Sequence, residues 1–366
     1  MADHIFLKGT AMTTAFDPVD LAGTRLSNRI AMAPMTRSRA DAVRRTPTAL
    51  VAEYYAQRAS AGLIISEGVH PVAEGQGYPF TPGIHSREQI AAWREVTDAV
   101  HERGGRIFAQ LMHSGRIGHP DLLDGDLHPV GPSAVAPAGQ AFTPEGPKDY
   151  VTPRVLTGDE VRETVAGFAA AARHAVEAGF DGVEIHGANG YLIQQFLATG
   201  SNHRTDEWGG PVENRIRFAV EVVRAVAAEI GPERTGLRIS PANTLNDIAE
   251  TETEELYTAL LDAIEPVGIA YLHVLETAPE LRPLVLDLRK RFAGTFILNP
   301  STEGPTSSES LALIEDGTTD LVAFGRLFIA NPDLPARLRA DGPYNEPDGA
   351  TMYGGDHRGY VDYPAL

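Results

Sequence analysis

Short apolar, β-branched runs alternate along this chain with stretches whose apolar residues recur every three or four positions. Arg29–Pro34, Leu63–Glu67, Arg106–Leu111, Gly182–His186, Leu237–Ser240, Tyr271–Leu275, Thr295–Leu298 and Leu321–Phe324 read as eight strands. Most are near-continuous apolar runs, as parallel strands covered on both faces require. Between them, Val161, Val165, Phe168, Ala172 and Ala175 line one helical face, as do Ile216, Val220, Val223, Ala227 and Ile230. Thr157, Asp159 and Glu160 mark the start of the first of these helices, and Gly179 its end. Pro211 opens the second and Gly231-Pro232 closes it. Eight strand–helix units in succession predict an α/β fold, a single (β/α)8 barrel of the TIM type.

Two segments break the alternation. Phe16–Asn28 precedes the first strand and carries Gly23 as a turn signal, so it predicts an N-terminal β-hairpin that plugs the bottom of the barrel. Met112–Thr157 follows the third strand, is rich in Pro and Gly, and has no clear period. An insertion of that length at this end of a barrel predicts a cap over a functional site. Residues 1–15 read as a loose extension. The barrel, residues 16–366, is expected to form one domain, with 112–157 as its capping region.

Composition narrows the function. The 366 residues carry a formal net charge of −18, which disfavours nucleic acid as a partner. The chain has no cysteine, so disulfides, thiolate nucleophiles, zinc–thiolate sites and iron–sulfur clusters are excluded. No segment is apolar enough over about 18 residues to span a membrane. Asp3 and the two-residue apolar patch Ile5-Phe6 do not make a secretory signal, and a cytoplasmic location is expected. His113, His186 and His203 lack carboxylates at ligand spacing, and no metal is expected. There is also no G-x-G-x-x-G after a strand and no G-K-[ST] loop.

Barrel enzymes place their chemistry at the C-terminal strand ends. There the sequence puts Pro34, Met35 and Thr36, then Gly68, Gln110, His186, Asn189, Tyr191, Arg238, Gly304, Gly325 and Arg326. So many hydrogen-bonding tips imply a large, polar, planar ligand. Gly304, a short helix starting near Pro305, and Gly325-Arg326 fit the phosphate site usual at the strand 7–8 end. The plainer alternative is that Gly325 ends a strand and Arg326 makes a surface ion pair. Asn189-Gly190 is a turn signal that can bring His186, Asn189 and Tyr191 to one cavity. His and Asn can both donate to a developing oxyanion, and tyrosine is a weak acid suited to protonating an enolate carbon. The alternative here is a buried His and Tyr satisfied by backbone carbonyls.

These residues resemble the Old Yellow Enzyme family. The resemblance runs through Ala33–Arg37, Ala109-Gln110-Leu111, His186–Leu197, Ser201–Arg204 with Gly209-Gly210, Glu213-Asn214-Arg215, Val322–Arg326, Ala330–Leu334, and the ending Tyr353-Gly354-Gly355 with Tyr360–Pro364. It covers nearly the whole chain from Phe16. It implies FMN as cofactor, with NADPH or NADH as transient reductant. Thr36 would bond flavin O4, while Pro34, Met35 and the Gly68 backbone line the isoalloxazine. Gln110 would meet the O2/N3 edge and Arg238 the N1/O2 edge. Gly304, Gly325 and Arg326 would hold the phosphate. His186 and Asn189 would bind the substrate oxygen, Tyr191 would donate a proton, and Tyr78, Met112 and Tyr353 would line the substrate pocket.

The implied activity is ping-pong reduction of an activated alkene (an enone, maleimide or nitroalkene). Hydride passes from flavin N5 to the β-carbon, and Tyr191 protonates the α-carbon. The chain departs from the family in two places. Asn189 stands where some members have a second His, and Met112 stands near a position often held by a large aromatic. Thr36, in place of Cys, resembles the yeast-like and enteric branch, and the absence of cysteine argues against the iron–sulfur dienoyl-CoA reductase branch. The alternatives are a nitrate-ester or nitroaromatic reductase on the same site, or a flavin-free barrel lyase or isomerase with a phosphorylated substrate. The partner is expected to be a small molecule, and the protein a monomer or homodimer.

Overall fold

A computed structural model describes residues 13–304 and 306–366. The first two strands, β1 (Val19–Leu21) and β2 (Thr24–Leu26), form an antiparallel hairpin. Its tight turn uses Ala22 and Gly23 at φ 48° and 93°, and the Gly23 N–H donates to Asp20 Oδ1 at 2.8 Å. Leu21 and Leu26 are fully buried against Ala31, Leu63, Phe108, Tyr271, Ile297 and Leu321. The hairpin therefore closes the barrel bottom, as its sequence predicts. Most of residues 1–15, through Met12, lie outside the described residues.

The barrel strands are β3 (Ile30–Met32), β4 (Leu63–Val69) and β5 (Ile107–Leu111). After four short cap strands come β10 (Gly182–Gly187), β11 (Thr235–Ile239), β12 (Tyr271–Leu275), β13 (Thr295–Asn299) and β14 (Leu321–Phe324). They close in sequence order into one parallel barrel, β14 pairing back onto β3. Burial on both faces is why most of their side chains are apolar, and polar exceptions such as Glu67, Gln110, Glu184, His186, Arg238 and His273 are buried too. The expected helices form at Gly158–Glu177, with a capping box of Thr157 and Glu160, and at Arg217–Ile230, with Gly231 at its C-cap. The second is preceded by a separate turn, Val212–Arg215, rather than running continuously from Pro211.

The insertion has structure that its sequence does not announce. In the cap, β6 (Val130–Gly131) pairs with β9 (Arg154–Val155), and β7 (Gln140–Thr143) pairs with β8 (Gly146–Asp149). No helix among the described residues is long and apolar enough to cross a membrane.

Candidate active site

Strand register sets the first constraint. Gly68 pairs with Gln110, Gln110 with Glu184, His186 with Arg238, and Arg238 with His273. Neighbouring strands thus bring polar side chains to one level near the C-terminal end of the barrel. Gln110 Nε2 donates to Glu184 Oε1 at 2.8 Å, and His273 Nδ1 lies 2.8 Å from Glu184 Oε2. All three are buried. Burial holds His273 below its ordinary value despite the pull of Glu184, so the contact is a hydrogen bond to a neutral imidazole. Glu184 escaped the sequence reading. Its signal is a lone carboxylate inside an apolar strand. Glu184 takes one of the two Gln110 amide N–H groups and so fixes the direction of the amide. The second N–H and Oε1 remain, a donor and an acceptor suited to a ring edge that presents both a carbonyl and an imide N–H.

Beyond β10 the chain turns through Asn189 and Gly190, at φ 58° and 78°. This left-handed pair is what the Asn-Gly signal predicts. The Gly190 position also has no room for a side chain, since a Cβ there would lie 2.5 Å from the Leu245 carbonyl oxygen. The turn is held by Gln194 and Gln195 on the helix that follows, Leu192–Leu197. The Gly190 N–H donates to Gln194 Oε1 at 2.8 Å, and Gln195 Nε2 donates to the Gly190 carbonyl at 2.9 Å.

The loop after β11 braces the same turn. Asn189 N–H donates to Ser240 Oγ at 2.9 Å, its carbonyl accepts from Asn246 Nδ2 at 2.7 Å, and its Oδ1 accepts from Asn243 Nδ2 at 2.8 Å. With Oδ1 occupied, the Asn189 amide presents its Nδ2 donor to the site. Ser240, Asn243 and Asn246 were missed in the sequence. Their tell is an N-x-x-N stretch directly beyond a barrel strand tip.

His186 and Tyr191 come together, and Asn189 lies in the turn that connects them. The His186 and Tyr191 rings are 5.2 Å apart, and the Tyr191 hydroxyl lies 2.9 Å from that of Tyr78. His186 is buried, and its Nδ1 has no partner in the protein. Burial, with the nearby Arg238 charge, holds its pKa well below the ordinary 6.5, so the ring is neutral. Burial raises the Tyr191 hydroxyl, which is therefore a protonated phenol at neutral pH. Met112, Ile117, Tyr191, Tyr78 and Tyr150 form one small cluster. Ile117 and Tyr150 come from the cap and were not foreseen. Tyr353 is 67% exposed.

The residues expected to hold a flavin also collect here. Pro34, Met35 and Thr36 are half-buried just beyond β3. Gly68 faces Met112, whose sulfur would lie 2.6 Å from any Cβ added there. Arg238 is buried and donates to Asn299 Oδ1 at 3.3 Å, while its Nε has no partner. An unpaired buried guanidinium N–H is costly unless a ligand oxygen or nitrogen meets it.

At the β13–β14 end, Gly325 has φ −97°, and a Cβ added to it would meet only Met35 Sδ, at 3.7 Å. Neither strain nor crowding within the protein calls for glycine there, whereas a bound group pressed against the backbone would. Gly304, at φ 98°, has open space around it. Arg326 is exposed and, among the described residues, pairs with nothing, which sets aside the surface ion pair. Pro305 lies outside the described residues, and the helical turn after it begins at Ser308. Orphaned donors at one end and an open glycine cradle at the other fit a planar ring bearing a phosphate tail. Among the described residues no cluster of His, Cys, Asp or Glu is placed to hold a metal.

Comparison with known proteins agrees with this layout. Residues 14–345 match the model of the NADH:flavin oxidoreductase / NADH oxidase family. A probable flavin mononucleotide-dependent alkene reductase of Leishmania infantum is 42% identical over 95% of this chain and 96% of its own. The structure of the Old Yellow Enzyme homologue from Zymomonas mobilis superposes with a TM-score of 0.92, at 42% identity over 97% of this chain and all (100%) of that one. Morphinone reductase in complex with tetrahydroNAD gives a TM-score of 0.91, at 44% identity over 97% of this chain and 98% of that one. The chain is a flavin-dependent oxidoreductase and belongs to the NADH:flavin oxidoreductase / NADH oxidase family, that of the Old Yellow Enzymes.

Proposed function

We propose that this protein is an FMN-dependent ene-reductase that draws electrons from NADPH or NADH and reduces alkenes conjugated to a carbonyl, imide or nitro group. The observation that carries this reading is the free Asn189 Nδ2 donor, fixed by Asn243, beside neutral His186 and the Tyr191 phenol. The relative named for FMN-dependent alkene reduction and the neighbour holding tetrahydroNAD support it.

Bound FMN supplies a hydride at N5 for the alkene β-carbon. Thr36, Gln110 and Arg238 would hold its ring, and Gly304, Gly325 and Arg326 its phosphate. His186 and Asn189 bind the oxygen conjugated to the alkene. As charge builds on that oxygen, two donors that need no reorientation stabilise it. Apolar Met112 and Ile117, packed with Tyr191, limit the water that can compete for these donors. Tyr191 then gives its proton to the α-carbon. A neutral phenol is the right strength of acid for this step, since it stays protonated at neutral pH yet can protonate a carbanion.

Replacing Tyr191 with Phe tests the assignment. Anaerobic bleaching of the flavin by NADPH should keep its rate, while reoxidation by 2-cyclohexenone should slow roughly 100-fold or more, as for loss of a general acid. Equal loss in both half-reactions would remove Tyr191 from the proton-donor role. Wild-type protein that is colourless and takes up no FMN would remove the flavin reading altogether.

A further inference from the structure

We infer that Tyr78 is the relay that returns a proton to Tyr191 after each reduction, so that the two phenols work as a pair; this rests on Tyr191 being the donor. Once Tyr191 has protonated the substrate carbon, its oxygen is a phenolate in a site where the side chain is only 9% exposed. A buried anion without donors is costly, and it cannot take a proton directly from bulk water. The Tyr78 hydroxyl is 2.9 Å away, and the two rings stand at 85°, so they meet through their hydroxyls and not their faces.

The surroundings fix this meeting. The Tyr78 carbonyl accepts from Gln76 Nε2 at 3.0 Å and from Thr81 Oγ1 at 2.9 Å. Next to it, Gly77 presses against the cap so closely that a Cβ would lie 2.4 Å from the Ile117 carbonyl oxygen. On the other side, Asn246 Nδ2 donates to the Asn189 carbonyl at 2.7 Å. Its backbone sits at φ 60°, and its carbonyl is held by Arg116 Nη2 at 3.2 Å. Burial is the largest influence on both hydroxyls and raises both, and either hydroxyl can donate in the bond between them, as a relay requires. Tyr78 is only half-buried, and Phe80 two residues along is exposed, so Tyr78 retains access to solvent.

The step balances simply. The Tyr191 O–H bond breaks as the α-carbon C–H bond forms. The Tyr78 proton then moves to the Tyr191 oxygen, and Tyr78 takes one proton from water. No electrons move in the relay, and one solvent proton is consumed per alkene.

Tyr78→Phe keeps the ring that packs against Met112 and Ile117 and removes only the hydroxyl. With FMN holoenzyme and 2-cyclohexenone, kcat should fall roughly 10-fold, less than for loss of the general acid itself, with KM changing less than about twofold. The solvent deuterium isotope effect on kcat should rise. The first turnover of pre-reduced enzyme, for which Tyr191 is already protonated, should slow less than kcat. Wild-type kcat and isotope effect, a change confined to KM, or equal slowing of first turnover and kcat would each overturn the relay. Tyr191→Phe, run alongside, separates the two ideas. If it is slow and Tyr78→Phe is not, only the relay falls; if Tyr191→Phe is itself unimpaired, the donor reading falls and takes the relay with it.

Discussion

The turn after β10 and the loops after β13 and β14 lie at the same end of one barrel, yet they are built in opposite ways. In the turn the protein supplies its own partners. Asn189 is tied at its N–H, carbonyl and Oδ1, and Gly190 at its N–H and carbonyl. In the loops Gly304 and Gly325 open onto free space or ordinary contact, and Arg326 has no partner among the described residues. The first region is ordered by folding, so that its donors are in place before a substrate arrives; such preorganisation is where electrostatic catalysis comes from. The second is left for a ligand to complete. Damage to the turn should therefore impair substrate binding and chemistry while the cofactor stays, and damage to the loops should release the cofactor while the fold stays.

The strongest attempt to break this contrast removes both oxygen-binding groups, His186→Ala with Asn189→Ala. Phenols, whose anions mimic an enolate oxygen, should lose about 3–6 kcal/mol of affinity, taking about 1.5–3 kcal/mol for each bond to a charged oxygen. Titration of the holoenzyme with a para-substituted phenol reads this directly. Because burial keeps His186 neutral well below the ordinary 6.5, its own ionisation should not alter that loss between pH 6 and 8. FMN should remain bound, and retained phenol affinity would contradict the assignment. In the loops, Arg326→Ala should weaken FMN binding about 10- to 100-fold, the worth of one charge-assisted bond. The apoprotein should melt within about 0.5 kcal/mol of wild type, as expected for an exposed residue without partners. Fluorescence of released FMN measures the first effect and calorimetry of the apoprotein the second. Loss of apoprotein stability would show that Arg326 has a structural role and is not waiting for a ligand.

The same contrast explains what the sequence reveals and what it hides. The barrel is legible because burial on two faces forces apolar runs such as Leu63–Ile65 and Leu321–Phe324. The Asn189-Gly190 turn is legible because only a few residues tolerate left-handed backbone. The placement of site residues at strand tips follows from the fold itself. The braces are less visible. Asn243 and Asn246 meet Asn189 across 54 and 57 residues, and nothing local encodes such a bond. The cap strands Gln140–Thr143 and Gly146–Asp149 contain Gln, Gly, Pro, Lys and Asp, which are poor strand formers, so tertiary context decides their conformation. Tyr150 reaches the pocket only because that cap folds back, and the direction of the Gln110 amide is set by Glu184 on the neighbouring strand.

The subtlest difference between the two regions lies in a residue that touches no ligand. Asn243 Nδ2 donates to Asn189 Oδ1 and so determines which end of the Asn189 amide faces the substrate. In Asn243→Ala the Asn189 side chain remains, but its amide is free to rotate and to offer oxygen instead of nitrogen to an incoming carbonyl. Removing one neutral hydrogen bond costs about 0.5–1.5 kcal/mol, so phenol affinity and kcat/KM for 2-cyclohexenone should each fall roughly 3- to 10-fold. Asn243→Asp sharpens the test. A carboxylate cannot donate to Oδ1, but it can accept from Nδ2 and so turn the Asn189 amide the wrong way round. It should therefore be worse than Ala, although it is closer in shape. If Asp proved equal to or better than Ala, the orientation of Asn189 would have to be set by Ser240 and Asn246 through its backbone alone.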